Sequence, residues 1–338
     1  MKALLLAGGR GTRLHPLTTN QPKPMLPVLN RPWLEYLVKL LVENGINQMV
    51  FSLCHCPQII IEHFGDGSRF GAKIEYVIEE TQLGTGGAIK MAASKLSDPF
   101  LAFNADIVTD INLRELLAFH ELKGAMGTLT LTPVSNPSSY GVVNLASDGR
   151  IQDFVEKPQL SAATVALINA GVYVFDQELV SLIPEGRPVS IEREIFPLLI
   201  EKGKPLYGYN GNFYWLDMGT HKRYLQLHRH ILTGRFQPPY KLSGCGIWVH
   251  PTAKVESFSV LRAPCFIGPG CTIASKAEVG PMVVLGENVT IEGGSLIRDS
   301  VLWDGASVGR HTRLEQVIVG KGVDIAAGDH LSSVALAD

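Results

Sequence analysis

The chain has 338 residues, of which 46% are hydrophobic and 18% are charged, and its formal net charge is −2. The length predicts two domains with a sizeable core, and the charge balance gives no reason to expect nucleic acid or an anionic membrane surface as a partner. Any phosphate chemistry must therefore depend on a local cluster of positive charge.

The N-terminal apolar run is short and is followed at once by glycines and arginines, unlike the apolar region of a secretory leader. No run of about 18 apolar residues occurs, so no membrane span is expected. The chain contains five cysteines, an odd number at irregular spacing. We therefore expect reduced thiols in a cytoplasmic protein.

Up to residue 235 the sequence alternates short apolar runs with longer segments of helical period. Strands are predicted at 2–7, 48–53, 73–79 and 100–104, and helices between them at 33–44, 58–64 and 87–96. Strict alternation of strand and helix predicts a mostly parallel, Rossmann-like sheet with helices on both faces, an α/β fold. Added, mostly antiparallel strands are predicted at 127–134, 141–145, 151–155 and 169–175, followed by helices at 191–202 and 221–232.

A linker is predicted at residues 236–244, and the pattern changes beyond it. An aliphatic residue recurs at every sixth position over residues 249–297, and after one shortened step the series resumes at Leu302, Val308 and Leu314. A small or slim residue, such as Cys265 or Cys271, follows four positions after the aliphatic one. This period predicts a parallel β-helix over residues 245–338 and resembles the left-handed β-helix of hexapeptide-repeat proteins. The two cysteines are then packing groups.

A glycine-rich turn, LAGGRGTRL at residues 6–14, follows the first predicted strand. Such a turn brings backbone N–H groups close to phosphate oxygens. A dinucleotide fingerprint would need a third glycine where Leu14 stands, and the Gly-Lys-Ser/Thr of a Walker A loop is absent. The turn carries Arg10 and Arg13 instead, and Lys23 follows closely. Converging cations of this kind suit a triphosphate.

Two aspartates, Asp106 and Asp217, each follow an apolar run that is predicted to end a strand. The carboxyl edge of an α/β sheet is where such folds bind ligands, and Mg²⁺ takes one or two carboxylates together with phosphate oxygens. Each aspartate alone is more often a turn or helix-cap residue than a metal ligand.

Residues 6–18, followed by PKPMLPV at 22–28, resemble the signature of nucleotide-sugar pyrophosphorylases, the sugar-1-phosphate nucleotidyltransferases. The resemblance covers the whole chain, since many of these enzymes carry a C-terminal left-handed β-helix. It implies that a nucleoside triphosphate and a sugar 1-phosphate react, with Mg²⁺, to give a nucleotide-sugar and pyrophosphate. The segments at 104–106 and 215–220 resemble the family's two metal-binding segments, although Ala105 stands where the family commonly has glycine.

The resemblance also implies roles for single residues. The catalytic groups would be Arg13, Lys23, Asp106 and Asp217, and the last two would hold the metal. The nucleotide would be bound by Leu6, Ala7, Gly8, Gly9, Gly11, Thr12, Arg13, Glu79, Gln82, Gly84, Thr85 and Asn104. The sugar phosphate would be bound by Gly141, Glu156, Lys157 and Asn169.

The segment at 79–87 is the predicted reader of the base. A carboxylate only accepts hydrogen bonds, and guanine offers two adjacent donors, so Glu79 or Glu80 favours GTP. The stretch at 83–88 resembles the mannose-1-phosphate guanylyltransferase branch of the family, which favours mannose 1-phosphate as the second substrate. A uridylyl- or thymidylyltransferase acting on glucose 1-phosphate or an amino-sugar 1-phosphate is the alternative.

Two alternative functions are an acyltransferase and a non-catalytic regulatory subunit. An acyltransferase would use the β-helix, where His250, His311 and His330 are the candidate bases, but no loop excursion surrounds them. A non-catalytic regulatory subunit would be expected to lose a phosphate-loop arginine or a metal aspartate, and this chain keeps both. The β-helix is then expected to form a homo-oligomer. The sequences at 54–56 and 228–230 are interpreted as a plain strand end and a solvated helix face.

Overall fold

The computed structural model describes residues 1–159, 165–240 and 246–337. The chain forms two compact units: the first comprises Met1–Gly9 and Leu37–Trp215, and the second comprises Arg10–Tyr36 and Leu216–Asp338. Within the described ranges, no helix is both long and apolar enough to cross a membrane.

The strands up to residue 217 are β1 (Lys2–Leu6), β2 (Pro27–Val28), β3 (Arg31–Pro32), β4 (Gln48–Leu53), β5 (Lys73–Ile78), β6 (Phe100–Asn104), β7 (Ile107–Thr109), β8 (Gly127–Val134), β9 (Gly141–Leu145), β10 (Ile151–Glu156), β11 (Ala166–Phe175), β12 (Leu206–Tyr209) and β13 (Trp215–Asp217). The α-helices are α1 (Trp33–Glu43), α2 (Pro57–Phe64), α3 (Gly84–Ala92), α4 (Leu113–Lys123), α5 (Gln177–Ser181), α6 (Phe196–Glu201) and α7 (His221–Leu232). Short 3₁₀ turns lie at Thr12–Leu14, Lys23–Met25, Ser68–Phe70, Ala93–Lys95 and Pro137–Ser139.

The sheet of the first unit confirms the predicted α/β architecture. Its strand order is β10-β9-β11-β6-β1-β4-β5, with β8 pairing β11 and β12. Strands β5, β4, β1 and β6 are parallel, and β11 joins β6 in antiparallel orientation. The chain runs outward from β1 to β5 and then returns to β6 on the other side of β1. At this reversal the carboxyl ends of β1 and β6 border the crevice in which such sheets bind ligands.

Apolar side chains on both faces of these strands form the core of the first unit. Leu4, Val50 and Phe100 come from neighbouring parallel strands and are fully buried, as are Tyr173 and Phe175 on β11. Strands buried on both faces carry continuous apolar runs, which is why the sequence pattern located them to within a residue or two at most ends.

The helix predicted at 191–202 differs from the structure. A π-helical turn, Ile191–Ile195, comes first, and α6 begins only at Phe196. Pro197 occupies the first turn of α6. Proline has no N–H and crowds the preceding turn, so it interrupts the hydrogen-bond ladder of a continuous helix.

The C-terminal strands stack in three parallel sheets, consistent with the predicted left-handed β-helix. They are β14 (Ile247–Val249), β15 (Lys254–Val255), β16 (Val260–Leu261), β17 (Cys265–Ile267), β18 (Thr272–Ile273), β19 (Glu278–Val279), β20 (Val283–Leu285), β21 (Thr290–Ile291), β22 (Leu296–Arg298), β23 (Val301–Leu302), β24 (Ser307–Val308), β25 (Arg313–Glu315), β26 (Ile318–Val319), β27 (Asp324–Ile325), β28 (His330–Ser332) and β29 (Ala335–Leu336).

The register of these strands explains the shortened step in the repeat. Cys265 pairs with Val283, one coil of 18 residues later, whereas Val284 pairs with Val301, only 17 residues later. The repeating aliphatic residues Ile267, Ile273, Val279, Leu285, Ile291 and Ile297 are fully buried. The thiols of Cys265 and Cys271 are buried and free, and burial raises the pKa of each to about 11. Their assignment as packing groups is confirmed.

The solvated face predicted at 228–230 is wrong. His228 is only 2% exposed, and Arg229 forms an ion pair with Asp299 of the β-helix. The sequence of α7 is polar, but its polar side chains have partners within the second unit. The first part of the predicted linker is also packed, since Tyr240 lies edge-on to Tyr36 at 5.2 Å. Its remainder, 241–244, lies outside the described residues.

Candidate active site

The first part of the glycine-rich turn leaves β1 in the first unit. Ala7 N donates to Ser52 O at 2.9 Å, which extends the pairing with β4 by one residue beyond Leu6. A Cβ atom at Gly8 would lie 3.2 Å from Cys54 Cβ and 3.3 Å from Glu79 Oε1, so this position has little room for a side chain. Gly9 has open space around it. Of these two glycines, only Gly8, at the base of the turn, is closely approached.

The loop after β6 lies directly beside the end of β1. Ala105 N donates to Leu6 O at 3.1 Å, and Asn104 pairs in register with Leu6. This places Asn104 and the half-buried Asp106 at the reversal of strand order, as the sequence predicted for residues of a ligand site. Leu6, Ala7 and Asn104 are brought together within the first unit.

Gly171, which the sequence analysis missed, gives Asn104 its room. It has φ +76° and interrupts the pairing of β11 with β8. A Cβ atom here would lie 2.9 Å from Asn104 Nδ2 and 3.0 Å from Ile107 Cγ1. Both the backbone conformation and the space therefore require glycine. The only signal in the sequence was a glycine inside a strand pattern, which often marks such an irregularity.

The rest of the turn lies in the second unit, and we call residues 10–29 the phosphate segment. Gly11 adopts φ +62°, and its carbonyl accepts a hydrogen bond of 2.9 Å from Thr18 Oγ1. The turn Thr12–Leu14 follows and leaves Arg13 61% exposed in its side chain. A left-handed glycine at this point lets the chain fold back so that Thr12 and Arg13 lie on an exposed turn.

Three predicted catalytic side chains meet within the second unit. Lys23 Nζ lies 3.4 Å from Asp217 Oδ1, and Arg13 Nη2 lies 3.8 Å from Asp217 Oδ2. Lys23 and Asp217 are 6% and 5% exposed. A charge removed from water in this way needs a partner, and each of these two provides one for the other. Arg13 is open to solvent and therefore available to an incoming anion.

Gly219 lies in the predicted metal-binding segment at 215–220, but the sequence analysis assigned it no role of its own. A Cβ atom there would lie 2.7 Å from Arg13 Nη2 and 2.8 Å from Asp217 Oδ1. Any other residue would push apart the arginine and the aspartate. The next residue, Thr220, caps α7 by accepting a hydrogen bond from Arg223 N on its Oγ1. The helix start and the carboxylate are thus fixed by one short segment.

Glu79 and Glu80 differ in their surroundings. Glu79 is 6% exposed; its Oε1 accepts from Ser52 Oγ and its Oε2 from Leu83 N, both at 2.9 Å. Glu80 is exposed. Glu79 therefore holds the loop at 79–83 against β4. Gln82 Nε2 donates to Gly8 O at 3.3 Å and links the same loop to the glycine-rich turn.

The predicted nucleotide residues Gly84 and Thr85 contact another part of the first unit. Thr85 Oγ1 donates to Glu192 Oε2 at 2.6 Å and accepts from Ile191 N at 3.0 Å. A Cβ atom at Gly84 would lie 2.6 Å from Val189 O. The glycine and the hydroxyl therefore allow α3 to begin against the 189–192 stretch. Glu192 is a further polar residue that sequence reasoning missed.

The four predicted sugar-phosphate residues lie in the first unit. Lys157 Nζ is 3.4 Å from Glu156 Oε1, and Asn169 Nδ2 donates to Tyr173 OH at 2.8 Å. Burial raises the pKa of the Glu156 carboxyl, Lys157 opposes the shift, and the charge of Glu192 adds to it. A Cβ atom at Gly141 would lie 3.0 Å from Glu156 Oε2, so glycine leaves space for that carboxylate.

The residue types suit a divalent metal ion whose coordination sphere is completed by oxygen atoms of its substrates. Within residues 1–159, 165–240 and 246–337, no group of three or more His, Cys, Asp or Glu side chains is placed to hold a metal ion. Asp106 in the first unit and Asp217 in the second each carry the hard oxygen donors that divalent ions such as Mg²⁺ prefer, and such ions commonly take further ligands from phosphate and water.

Comparison with known proteins places these features in a family. The model of the family described as nucleotidyl transferase matches residues 2–234, and that of the GMPPB C-terminal domain matches residues 261–337. A mannose-1-phosphate guanylyltransferase of Mycobacterium tuberculosis is 37% identical over 87% of this chain and 82% of its own length. A UTP–glucose-1-phosphate uridylyltransferase of Synechocystis is 31% identical over 94% of this chain and 87% of its own.

A solved structure supports the fold of about two thirds of the chain. The structure of HddC from Yersinia pseudotuberculosis superimposes with a TM-score of 0.59 at 24% identity, over 67% of this chain and 97% of that one. A glycine-rich turn after β1 and a carboxylate, Asp106, at the reversal of strand order are typical of α/β folds that bind nucleotides. The chain belongs to the nucleotidyl transferase family. The resemblance noted from the sequence is confirmed, and the enzyme class is a nucleotidyltransferase. Enzymes of this family generally use a divalent metal ion.

Proposed function

We propose that the protein transfers a guanylyl group from GTP to mannose 1-phosphate, forming GDP-mannose and releasing pyrophosphate. The Mycobacterium tuberculosis relative supports this pair of substrates, and so does the match of the C-terminal domain. The structural observation that carries the proposal is the cluster of Arg13, Lys23 and Asp217, in which two cations and a carboxylate meet beside a glycine-rich turn. Such a cluster suits the handling of a triphosphate.

The reaction needs alignment and charge stabilisation. A phosphate oxygen of the sugar 1-phosphate attacks the α-phosphorus, a new P–O bond forms, and the bond to the β-phosphate oxygen breaks with its electron pair leaving on pyrophosphate. The attacking oxygen is already ionised at neutral pH, so no general base is required. Arg13 and Lys23 stabilise the charge that develops on the leaving group, as fixed cations do in other phosphoryl transfers.

We propose Mg²⁺ as the cofactor, held by Asp106 and Asp217. When bound, it supplies positive charge to phosphate oxygens without any proton transfer. Glu156 and Asn169 orient the sugar hydroxyls, and Lys157 holds the sugar phosphate. Leu6, Ala7, Gly8, Gly9, Gly11, Thr12 and Asn104 surround the nucleotide, and the loop at 79–85 reads its base. These assignments are supported by the residue types and remain predictions.

The test is pyrophosphate release from the purified protein with Mg²⁺. GTP, UTP, dTTP, CTP and ATP are each crossed with mannose, glucose and N-acetylglucosamine 1-phosphates. We expect the highest kcat/KM for GTP with mannose 1-phosphate and a loss in Asp217→Asn of at least about 10²-fold. The matched control is Asp153→Asn, at an exposed position of β10. A preference for UTP with glucose 1-phosphate would replace the proposed substrates and keep the class. Release from no pair would favour the regulatory-subunit reading.

We also propose that the protein is a homo-oligomer assembled through the β-helix. Large apolar side chains are exposed on the first described coil: Ile247 is 38%, Val255 40%, Phe258 85% and Val260 42% exposed. Neighbouring apolar groups open to water are typical of a protein contact. We expect Phe258→Asp to lower the mass measured by light scattering, whereas Leu122→Asp, at a residue of α4 that is 82% exposed, should not. An unchanged mass for Phe258→Asp would argue against this surface.

A further inference from the structure

Three side chains of α7 hold the backbone of the phosphate segment. His221 Nε2 donates to Leu14 O at 3.1 Å, Tyr224 OH donates to Pro27 O, and His228 Nε2 accepts from Leu29 N at 3.1 Å. Positions 221, 224 and 228 are three and four residues apart and therefore share one face of the helix. The attachment points at residues 14, 27 and 29 lie on both sides of Lys23 and next to Arg13. The helix thereby fixes the path of the chain that carries both cations.

The β-helix also holds this helix through side-chain hydrogen bonds. Trp303 Nε1 donates to Tyr224 OH at 3.0 Å, and the guanidinium of Arg229 donates two hydrogen bonds to the carboxylate of Asp299. Asp299 and Trp303 flank strand β23 and belong to one coil. Trp303 is 5% exposed and Tyr224 is fully buried. A bidentate arginine–carboxylate pair fixes orientation as well as distance.

The Tyr224 hydroxyl joins the two sets of contacts. It donates its one proton to Pro27 and accepts from Trp303, so both its donor and its acceptor function are used. Burial raises the pKa of this hydroxyl far above its usual range, so it remains a donor at every pH at which the protein is studied. A buried hydroxyl with both hydrogen-bond partners in place favours one arrangement of the segments that carry them, because a shift of either segment would leave a polar group without a hydrogen bond.

We infer that the β-helix is a positioning element for the reaction. The hydrogen-bond chain Trp303–Tyr224–Pro27, supported by the Asp299–Arg229 pair, fixes the position of the phosphate segment and therefore of Lys23. Tyr224, Trp303 and Arg229 are positioning residues that act through the segment. This inference rests on the proposed nucleotidyl transfer for its kinetic consequence, but its structural part can be measured separately.

The first arm of the test measures amide hydrogen exchange in peptides that cover residues 23–29. Tyr224→Phe removes one hydroxyl and keeps the ring, and Trp303→Phe removes the indole N–H. Each should speed exchange in these peptides by about 10-fold, since local opening depends on the contacts that hold a segment. The control is Tyr76→Phe, which removes a tyrosine hydrogen bond of the same kind, to Gly65 O at 2.6 Å, on β5. Unchanged exchange at 23–29 in Tyr224→Phe would overturn the inference whatever the activity is.

The second arm is a double-mutant cycle with Lys23→Ala, read as kcat and KM separately. If Tyr224 acts through Lys23, Tyr224→Phe should lower kcat about 10-fold in the wild-type background and less than about 2-fold once Lys23 is absent. A purely structural role would give equal losses in both backgrounds and would overturn the kinetic part. Failure of wild-type turnover with every substrate pair would instead refute the proposed function, and the exchange arm would still decide whether the β-helix holds the segment.

Discussion

Lys23 and Asp217, 194 residues apart in the chain, form a buried pair in which Nζ lies 3.4 Å from Oδ1. Removing one partner of a buried pair costs about 3–5 kcal/mol in typical proteins. The loss for Lys23 should fall below that range, because Arg13 Nη2 still lies 3.8 Å from Asp217 Oδ2. Lys23→Met keeps the length of the side chain and deletes its charge. We expect a lower free energy of unfolding, and a kcat reduced by at least about 10²-fold.

The control for this variant is Lys39→Met, which breaks an exposed helix pair with Glu43 at 3.3 Å. Exposed pairs of this kind contribute about 0.3–0.5 kcal/mol, so urea unfolding should hardly change. A Lys23→Met protein with normal stability and normal pyrophosphate release would remove Lys23 from both the core and the proposed chemistry.

Gly219→Ala tests the space beside Asp217. The added methyl group would lie 2.7 Å from Arg13 Nη2 and 2.8 Å from Asp217 Oδ1, so at least one of these side chains must move. Since Arg13 is exposed and Asp217 is buried, the arginine is the group that yields. We expect kcat to fall by about 10-fold or more, because misplacement by 1 Å is costly in catalysis. The melting temperature should change little, and a normal kcat would show that Arg13 works from another position.

The two carboxylates of the loop proposed to read the base, Glu79 and Glu80, give opposite expectations. Both oxygens of Glu79 already accept hydrogen bonds, so Glu79→Gln should lower stability by about 1–3 kcal/mol, because an amide cannot accept at both positions. Glu80 is exposed, and we expect Glu80→Gln to reduce the ratio of kcat/KM for GTP over UTP by about 10-fold at normal stability. If the ratio changes in Glu79→Gln alone, the buried carboxylate reads the base.

The parts of the molecule that the sequence predicted are those with a local period. Parallel strands that are buried on both faces, and the six-residue repeat with its shortened step, can be recognised from residues that are close together in the sequence. The glycine-rich turn and the two aspartates were found because each follows an apolar run. What the sequence did not reveal are contacts between distant segments. Thr85 is hydrogen-bonded to Glu192, 107 residues away, and Tyr224 is hydrogen-bonded to Trp303, 79 residues away.

The same reason explains the wrong interpretation of α7. Its polar sequence is typical of a solvated helix, and nothing local to it indicates that Asp299, 70 residues away from Arg229, supplies a partner. Gly171 and Gly219 were also missed, because their importance depends on how close Asn104 and Asp217 lie to them in space. Steric requirements of this kind are a property of the fold, and the sequence offered only a general sign of one of them, a glycine inside the strand pattern at Gly171.

His228 makes the stability of the protein depend on pH. Its Nδ1–H donates to Tyr224 O at 3.0 Å and its Nε2 accepts from Leu29 N, so the folded state needs the neutral ring. Burial lowers the pKa of His228 to about 4, against an unperturbed value near 6.5. Between these values the unfolded chain binds a proton that the folded chain does not. The stabilising contribution is therefore complete above pH 6.5 and is lost as pH falls toward 4.

The loss should amount to about 3 kcal/mol, since each pKa unit corresponds to about 1.4 kcal/mol. Urea unfolding of the wild type from pH 7 to 4.5 should show this decline. His228→Gln keeps an acceptor for Leu29 and a donor for Tyr224 but does not titrate, so its unfolding free energy should fall less steeply over the same range. Because His228 can take up a proton only when the helix opens locally, acidity favours the open state, and exchange in peptides at 23–29 should rise with acidity in the wild type beyond the intrinsic rate. Parallel pH profiles for the two proteins would show that another group governs the acid sensitivity.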